Sequence, residues 1–400
     1  MSISSLKYCC GCKTCSLVCP KQAISFRLGE MGSLTPLIDS NKCIHCGLCD
    51  AVCPVKQRPV LPPSDKIYLA SSKEAKIKRQ STSGGVFSVF AEWAIDNGWC
   101  VCGAAWDGLK VKHLIVYSKN DLFKLKRSKY VQSDLNNVFP VLKSLILSGK
   151  NVLFSGTPCQ VSAFKNFLGP NIKGGRVLLV DVLCHGVPSQ SFFDSCIEHE
   201  EKSKGIEILD FSFRSKAKNT PSCFTYIYRK TGSQKKRTRN GFSFQFPFYK
   251  AFSSYQFFLE QCYHCEYASP ERVGDITLGD GWGCEQVSGF STTGRKNGCS
   301  TVIINSDWGN SFFDEVQEKL TFLPIHSDLI ASNNQAYTKC ETENEGKRSR
   351  IIQDFHANFD LALTKYLSFN RKDLFRASFY ENCPKWLLSF ASFFCFWRRH

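Results

Sequence analysis

Apolar positions along the chain change period several times, and each change predicts an element. From Val86 to Ile95 the residues Val86, Phe87, Phe90, Trp93 and Ala94 share one helical face, and Gly98 closes the run. An apolar helix is predicted over Val138–Leu147, between strand-like runs at Val111–Tyr117 and Asn151–Phe154. Arg176–Leu183 reads as a buried strand, followed by a helix from Ser191 to Lys202. This alternation predicts an α/β layer around a mostly buried sheet. After Gly205 the pattern turns β-rich, with strands expected over Ile206–Phe213, Phe224–Arg229, Asp275–Leu278 and Thr301–Asn305. Beyond Thr338 it is charged, then helical, and ends in an aromatic tail. The first sixty residues follow neither period: they are dense in cysteine and punctuated by proline, and residues 59–66 read as a linker. The expected division is 1–60, 67–170, 171–335 and 336–400, the two middle segments being parts of one body.

Cysteine changes the picture most. Twenty-two cysteines in 400 residues, with no apolar segment after Met1, argue for a reducing cytoplasm and metal ligation rather than a disulfide scaffold. No apolar run reaches the roughly 20 residues of a membrane span. The greasy stretch Trp386–Phe394, between Lys385 and Arg398-Arg399, is a candidate for peripheral contact with the inner membrane face, or for docking on the core or a partner. A formal charge of +16 points to acidic partners. The densest run, Lys235-Lys236-Arg237-Thr238-Arg239, is expected at a hairpin tip; nothing around it matches a nucleic-acid-binding motif, so nucleic acid ranks last among the partners.

The head carries the most specific signal. Cys9, Cys12, Cys15 and Cys19-Pro20 follow C-x2-C-x2-C-x3-C-P, and Cys43, Cys46, Cys49 and Cys53-Pro54 repeat it. In bacterial ferredoxins three thiolates of such a run wrap one cubane, and the fourth crosses to the other. One [4Fe–4S] cluster is therefore assigned to Cys9, Cys12, Cys15 and Cys53, and a second to Cys43, Cys46, Cys49 and Cys19. Cys10 stands outside the pattern and reads as a bystander; His45 reads as a surface residue.

The body carries six motifs in order: Arg79–Gly85, Ser128–Ser133, Gly156-Thr157-Pro158-Cys159-Gln160, Cys184-His185-Gly186-Val187-Pro188-Ser189, Cys262-Tyr263-His264-Cys265 and Asp275–Gly283. Together they resemble the beta subunits of coenzyme F420 hydrogenase and of F420-dependent formate dehydrogenase, and the related plant enzyme 7-hydroxymethyl chlorophyll a reductase. The resemblance covers roughly residues 67–305. It implies an iron–sulfur, FAD-binding oxidoreductase, and with it an α+β chain: a small two-cluster ferredoxin-like domain, then an α/β flavin-binding body with a mixed, β-rich second half. Electrons would run from the head clusters through an inner cluster to FAD and on to an organic substrate or deazaflavin-like carrier. The alternative is a non-catalytic electron-transfer subunit of a larger dehydrogenase. Expected partners are a redox protein such as ferredoxin, or a dehydrogenase subunit, and a small-molecule acceptor.

The resemblance and the Cys262/Cys265 spacing together suggest a third [4Fe–4S] cluster on Cys159, Cys184, Cys262 and Cys265; read alone, Cys159 and Cys184 are equally buried small hydrophobes. Ser83-Gly84-Gly85 ahead of a helix and Gly156-Thr157-Pro158 at a strand end are expected to offer backbone N–H groups to a cofactor phosphate, or else to form tight turns. Ser128, Tyr130, Gln160 and Gly186 are expected beside the cofactor. His185 is a candidate proton donor or flavin contact, or a structural histidine. Lys129 would offset charge on a reduced flavin or bind its phosphates, or make a surface salt bridge. Asp280 and Trp282 are expected to wall the site, and Gly281, where the family carries a bulky aromatic, to widen it.

Overall fold

The structure, a computed structural model, describes residues 3–135, 137–216, 223–288, 290, 298–342 and 345–368. In the head, β1 (Ile24–Leu28) pairs antiparallel with β2 (Leu34–Ile38), and two one-turn helices, α1 (Thr14–Leu17) and α2 (Leu48–Ala51), carry Cys15 and Cys49 at equivalent places. Ile3, Cys15 and Cys53 form its small core, against which Ile24, Phe26, Ile38 and Cys49 pack.

The body is built on eight strands in the order β13-β3-β12-β11-β7-β6-β4-β5. In chain order these are β3 (Ile67–Ser72), β4 (Cys100–Asp107), β5 (Lys110–Val116), β6 (Val152–Ser155), β7 (Val177–Val182), β11 (Ile276–Asp280), β12 (Ser300–Ile304) and β13 (Leu320–Pro324). The centre, β4-β6-β7-β11, is parallel and both flanks are antiparallel. Side chains alternate across it as the pleat requires. Leu178 and Val180 face a core closed by α4 (Val86–Asp96) and α9 (Asp307–Val316), whereas Leu179 faces a core closed by α5 (Val138–Leu147) and α6 (Pro158–Leu168). Residues 67–170 and 171–335 thus share one sheet.

A second sheet, β10-β9-β8, is antiparallel: β8 (Ile206–Phe213), β9 (Cys223–Lys230) and β10 (Arg237–Phe242). Its core is largely aromatic, with Phe211, Phe213, Phe224 and Tyr226 against Phe193 of α7 (Gln190–Lys204) and Phe248 of α8 (Pro247–Ser253). The basic run expected at a hairpin tip lies half in strand: Arg237 pairs with Tyr228 and Arg239 with Tyr226. Arg239 stays there because its guanidinium reaches Glu200 (3.3 Å) and lies over the Tyr226 ring.

The segment read as a linker is stitched to the body, Leu61 pairing with Arg272 through both backbone bonds. Tyr267 ties the head down by donating to the Pro54 carbonyl (2.5 Å), and Asn166 and Lys165 of α6 donate to the carbonyls of Gln57 and Pro59. Among the described residues no helix is long and apolar enough to cross a membrane. The Trp386–Phe394 stretch lies outside the described residues.

Candidate iron–sulfur centres and an adjoining basic site

The outer quartet lines one cavity of about 130 Å³ that takes in Cys19, Cys43, Cys46 and Cys49. Cys46 and His45 are exposed, so this quartet meets solvent. The second quartet lies deeper: Cys15 and Cys53 are buried, and Cys9, Cys12, Cys15 and Cys53 act on one another electrostatically. The crossing assignment made from spacing therefore brings the expected thiols together in both groups.

The third quartet converges as well. Cys159, Cys184, Cys262 and Cys265 stand within electrostatic reach of each other. The second and third quartets adjoin, since Cys159 acts on Cys9 and Cys12 acts on Cys159. Among the described residues no three or more His, Cys, Asp or Glu side chains are disposed to hold a lone metal ion. A cubane places its own irons and sulfides between the thiols and asks for wider separation.

The donor set fits such a cluster. Burial pushes the thiols of Cys9 and Cys184 up to about 12 and that of Cys265 to about 11, so these three favour the thiolate only beside a cationic iron core, whereas Cys12 and Cys159 are lowered. Amide and hydroxyl donors already point at the sulfurs. Gly11 N–H reaches Cys9 Sγ (3.4 Å), Ala23 N–H reaches Cys19 Sγ (3.3 Å) and the Thr14 hydroxyl reaches Cys12 Sγ (3.3 Å). In the inner quartet Gly186 N–H serves Cys184, Val187 N–H serves Cys262, and the N–H groups of Tyr267 and Ala268 serve Cys265.

A buried ion pair locks this inner ground. Arg272 donates to Asp181 Oδ1 (3.1 Å), to Thr277 Oγ1 and to the carbonyls of Tyr267, Ser269 and Val182. Asp181 also accepts from Thr277 (2.6 Å) and from the N–H groups of Val273 and Gly274. The pair joins β7, which leads into Cys184, to the loop that carries Cys262 and Cys265.

Several residues expected at a cofactor serve the frame instead. Gly156 N–H donates to Val180 O, and Pro158 opens α6. Gln160 reaches back to the Thr157 N–H (3.1 Å) and donates to Ser133 O, closing the helix start that presents Cys159. Ser83 donates to Cys299 O, and the Gly84 N–H expected to be open is given to Ser300 Oγ (3.0 Å). A Cβ on Gly84 would meet Ala70 O at 2.5 Å, so the glycine is there to let the loop lie on β3 and β12; Gly85 precedes α4. Gly186 faces the Phe258 ring, which a Cβ would meet at 2.4 Å. Gly281 does not widen anything: Cys299 Sγ fills the space at 2.8 Å from a would-be Cβ.

Beside the inner quartet lies a basic and aromatic group. His185, next to Cys184, packs near Trp282 (5.2 Å between centroids), and burial lowers its imidazole while Asp280 raises it. Asp280 pairs with Arg214, whose guanidinium also reaches Tyr130 Oη (3.4 Å). Tyr130 stacks on Phe252, and Ser128 is bonded to Thr82. Among the described residues Lys129 makes no salt bridge: it donates to the carbonyls of Lys126 (2.7 Å) and Arg127 (3.1 Å), and burial with the Arg127 charge lowers its ammonium to about 7. Lys216 donates to the carbonyls of Lys78 and Ser83; burial, then Arg214, lowers it to about 8. A bound polyanion would restore both ammoniums. In charge, this group fits a phosphate-bearing cofactor.

Residues 149–327 match the family described as the carboxy-terminal part of the beta subunit of coenzyme F420 hydrogenase/dehydrogenase, and residues 8–57 match a 4Fe–4S dicluster domain. The chain thus joins a 4Fe–4S dicluster domain to a carboxy-terminal domain of this beta-subunit type. The dicluster match lies ahead of the beta-subunit match, and the body is similar to an oxidoreductase family. Among curated relatives, an F420H2 dehydrogenase subunit of Methanosarcina mazei is 22% identical over 79% of this chain and 84% of its own length. The coenzyme F420-dependent sulfite reductase of Methanocaldococcus jannaschii is 28% identical over 39% of this chain, and the match spans about a quarter (24%) of that relative. Among solved structures, a chain of the F420-reducing [NiFe] hydrogenase complex from Methanosarcina barkeri aligns at TM-score 0.45 and 18% identity, over 74% of this chain and 91% of its own.

The sequence reading missed Arg214, Lys216, Arg127 and the Arg272–Asp181 pair. None sits in a spaced motif; Arg214 and Arg127 adopt left-handed backbone, a feature visible only in the fold.

Proposed function

We propose that this chain is an electron-transfer oxidoreductase that relays single electrons across three [4Fe–4S] clusters to FAD and on to an organic substrate or deazaflavin-like carrier. The observation that carries the reading is the convergence of three cysteine quartets: an outer one with exposed Cys46, a second with buried Cys15 and Cys53, and a half-buried third beside His185. Clusters would supply one-electron exchange, and FAD, when bound, hydride chemistry. The outer quartet, open to solvent, is where a redox protein would exchange electrons. Lys129, Arg127 and Lys216 would hold the cofactor's phosphates, and Tyr130 and Trp282 would bound its ring system. His185, kept neutral by burial, would accept or give a proton at the substrate.

Flavin fluorescence quenching tests the cofactor's placement. The Lys129→Gln, Lys216→Gln double variant should bind FAD about a hundredfold more weakly, since each lysine gives a charge-assisted bond of about 1.5 kcal/mol or more. Unaltered affinity would contradict the placement.

A second reading, an electron-transfer subunit that lacks its own substrate, is favoured by the extent of the match to a dehydrogenase subunit. Turnover of an acceptor by the lone chain with reduced ferredoxin would speak against it; obligate co-purification with a larger subunit would support it.

A further inference from the structure

The repeat within the head lets its two cysteine loops be compared position by position. Cys10 answers to Ile44, Gly11 to His45, Lys13 to Gly47 and Thr14 to Leu48. In the first loop the body covers these positions. Cys10 is 9% exposed and Thr14 0%. The Cys10 carbonyl accepts from Gln132 Nε2 (2.9 Å), the same nitrogen would stand 3.1 Å from a Cβ on Gly11, and Lys13 pairs with Asp134 (3.2 Å). The second loop stands bare at the same positions. Ile44 is 55% and Leu48 47% exposed, His45 is exposed, and a Cβ on Gly47 would meet no atom within 4 Å. Two large apolar side chains thus stand in solvent at the mouth of the outer cavity, where the other copy of the repeat carries a cysteine and a threonine packed beneath a protein surface. Charge around the bare loop has one sign. Residues 1–60 hold seven lysines and arginines against three acidic residues. Asp50 is held by Lys56 (2.7 Å) and Asp39 by Lys42 (3.7 Å), while Lys21, which lines the cavity, makes no ion pair among the described residues.

Resting on the reading of the outer quartet as a cluster site, we infer that this bare loop is the docking face for an acidic one-electron carrier protein, with Ile44 and Leu48 at its centre and Lys21 and Lys42 on its rim. The carrier covers the second loop as the body covers the first. Clustered exposed apolar side chains mark interaction sites, and an apolar centre within a polar rim is the usual build of a protein interface. The rim charges speed encounter with a partner of opposite sign and slow a basic one. In the encounter one electron leaves the reduced carrier and arrives at the outer quartet; the carrier is oxidised, no bond changes and no proton moves.

The test takes the anaerobically purified full-length protein and, as probe, an acidic two-cluster ferredoxin. Calorimetry gives the affinity for the oxidised probe, and stopped flow gives the rate at which the reduced probe reduces the chain, with methyl viologen radical as a small reductant that needs no docking face. Both are measured at about 0.01 M and about 1 M salt, between which the screening length shrinks from about 30 Å to about 3 Å. At low salt the Lys21→Glu, Lys42→Glu double variant should lose at least about tenfold in ferredoxin affinity and rate, and at high salt this difference should vanish. Leu48→Ser should bind the probe more weakly at either salt. Viologen at high salt should reduce both variants as fast as the wild type. Unaltered ferredoxin affinity in both variants, at full iron content, would overturn the docking face and leave the cluster reading standing. A slowed viologen reaction would overturn it as well, by tracing the effect to a damaged cluster. An iron count that does not fall in Cys43→Ser would instead remove the outer cluster on which the inference rests.

Discussion

His113 lies in β5 and Lys129 in an irregular loop, and burial pushes both toward their neutral forms. The His113 imidazole drops to about 4 and is satisfied by Ser133 (2.8 Å) and the Ser155 carbonyl (3.1 Å). Between about pH 6.5 and 4 the unfolded histidine takes up a proton that the folded one refuses. Stability contributed by the neutral ring is therefore complete above about 6.5 and lost as pH falls through that window. The slope is up to about 1.4 kcal/mol per pH unit. Anaerobic urea unfolding at several pH values should show this slope in the wild type and not in His113→Gln; equal slopes would contradict it. Lys129 has the same sign in a different window: its penalty is full below about 7 and is relieved as pH rises toward 10.5. The Arg272–Asp181 pair is of another kind, a charge held by every donor it has. Arg272→Ala leaves Asp181 buried and unpaired and should cost about 3–5 kcal/mol in denaturant unfolding. A loss under 1 kcal/mol would mean that the loop bearing Cys262 and Cys265 is held by other contacts.

Among elements, what could be read from sequence was what periodicity and spacing encode locally. The helices Val86–Asp96 and Val138–Leu147 and strands β5 to β9 follow from runs whose apolar face is continuous. The head quartets converge because each thiol is fixed by a two- or three-residue step. The Ser83-Gly84-Gly85 and Gly156-Thr157-Pro158 loops were legible as special backbone, yet not as to purpose. A glycine that admits a phosphate and one that admits a neighbouring strand look alike in sequence, and only the contacts of Gly84 with Ala70 and Ser300 separate them. Of the basic site only Lys129, inside the Ser128–Ser133 motif, was legible; Arg127, Arg214 and Lys216 were not, because they come from loops outside any motif that meet it only in the fold. Separate quartets should also behave separately. Cys43→Ser should cost about four irons per chain, those of the outer cubane, and leave flavin binding intact by absorbance. Loss of flavin in that variant would mean that the outer quartet and the basic site fold as one unit.

At the scale of the molecule, the parallel centre of the sheet gathers candidate site residues at its strand ends. Cys159 follows β6, Cys184 follows β7, and Asp280 and Trp282 close β11, the edge where open α/β sheets gather ligands. The head is fastened to that edge through Pro54, Leu61 and the Cys10 carbonyl on Gln132, and the proposed relay is one line from the solvent-facing quartet to the basic site. Purifying the chain without oxygen and counting iron, acid-labile sulfide and flavin tests this line most directly. About twelve irons and one FAD per chain, four irons for each quartet, is the predicted result; about eight irons and no flavin would contradict the inner cluster and the flavin site together.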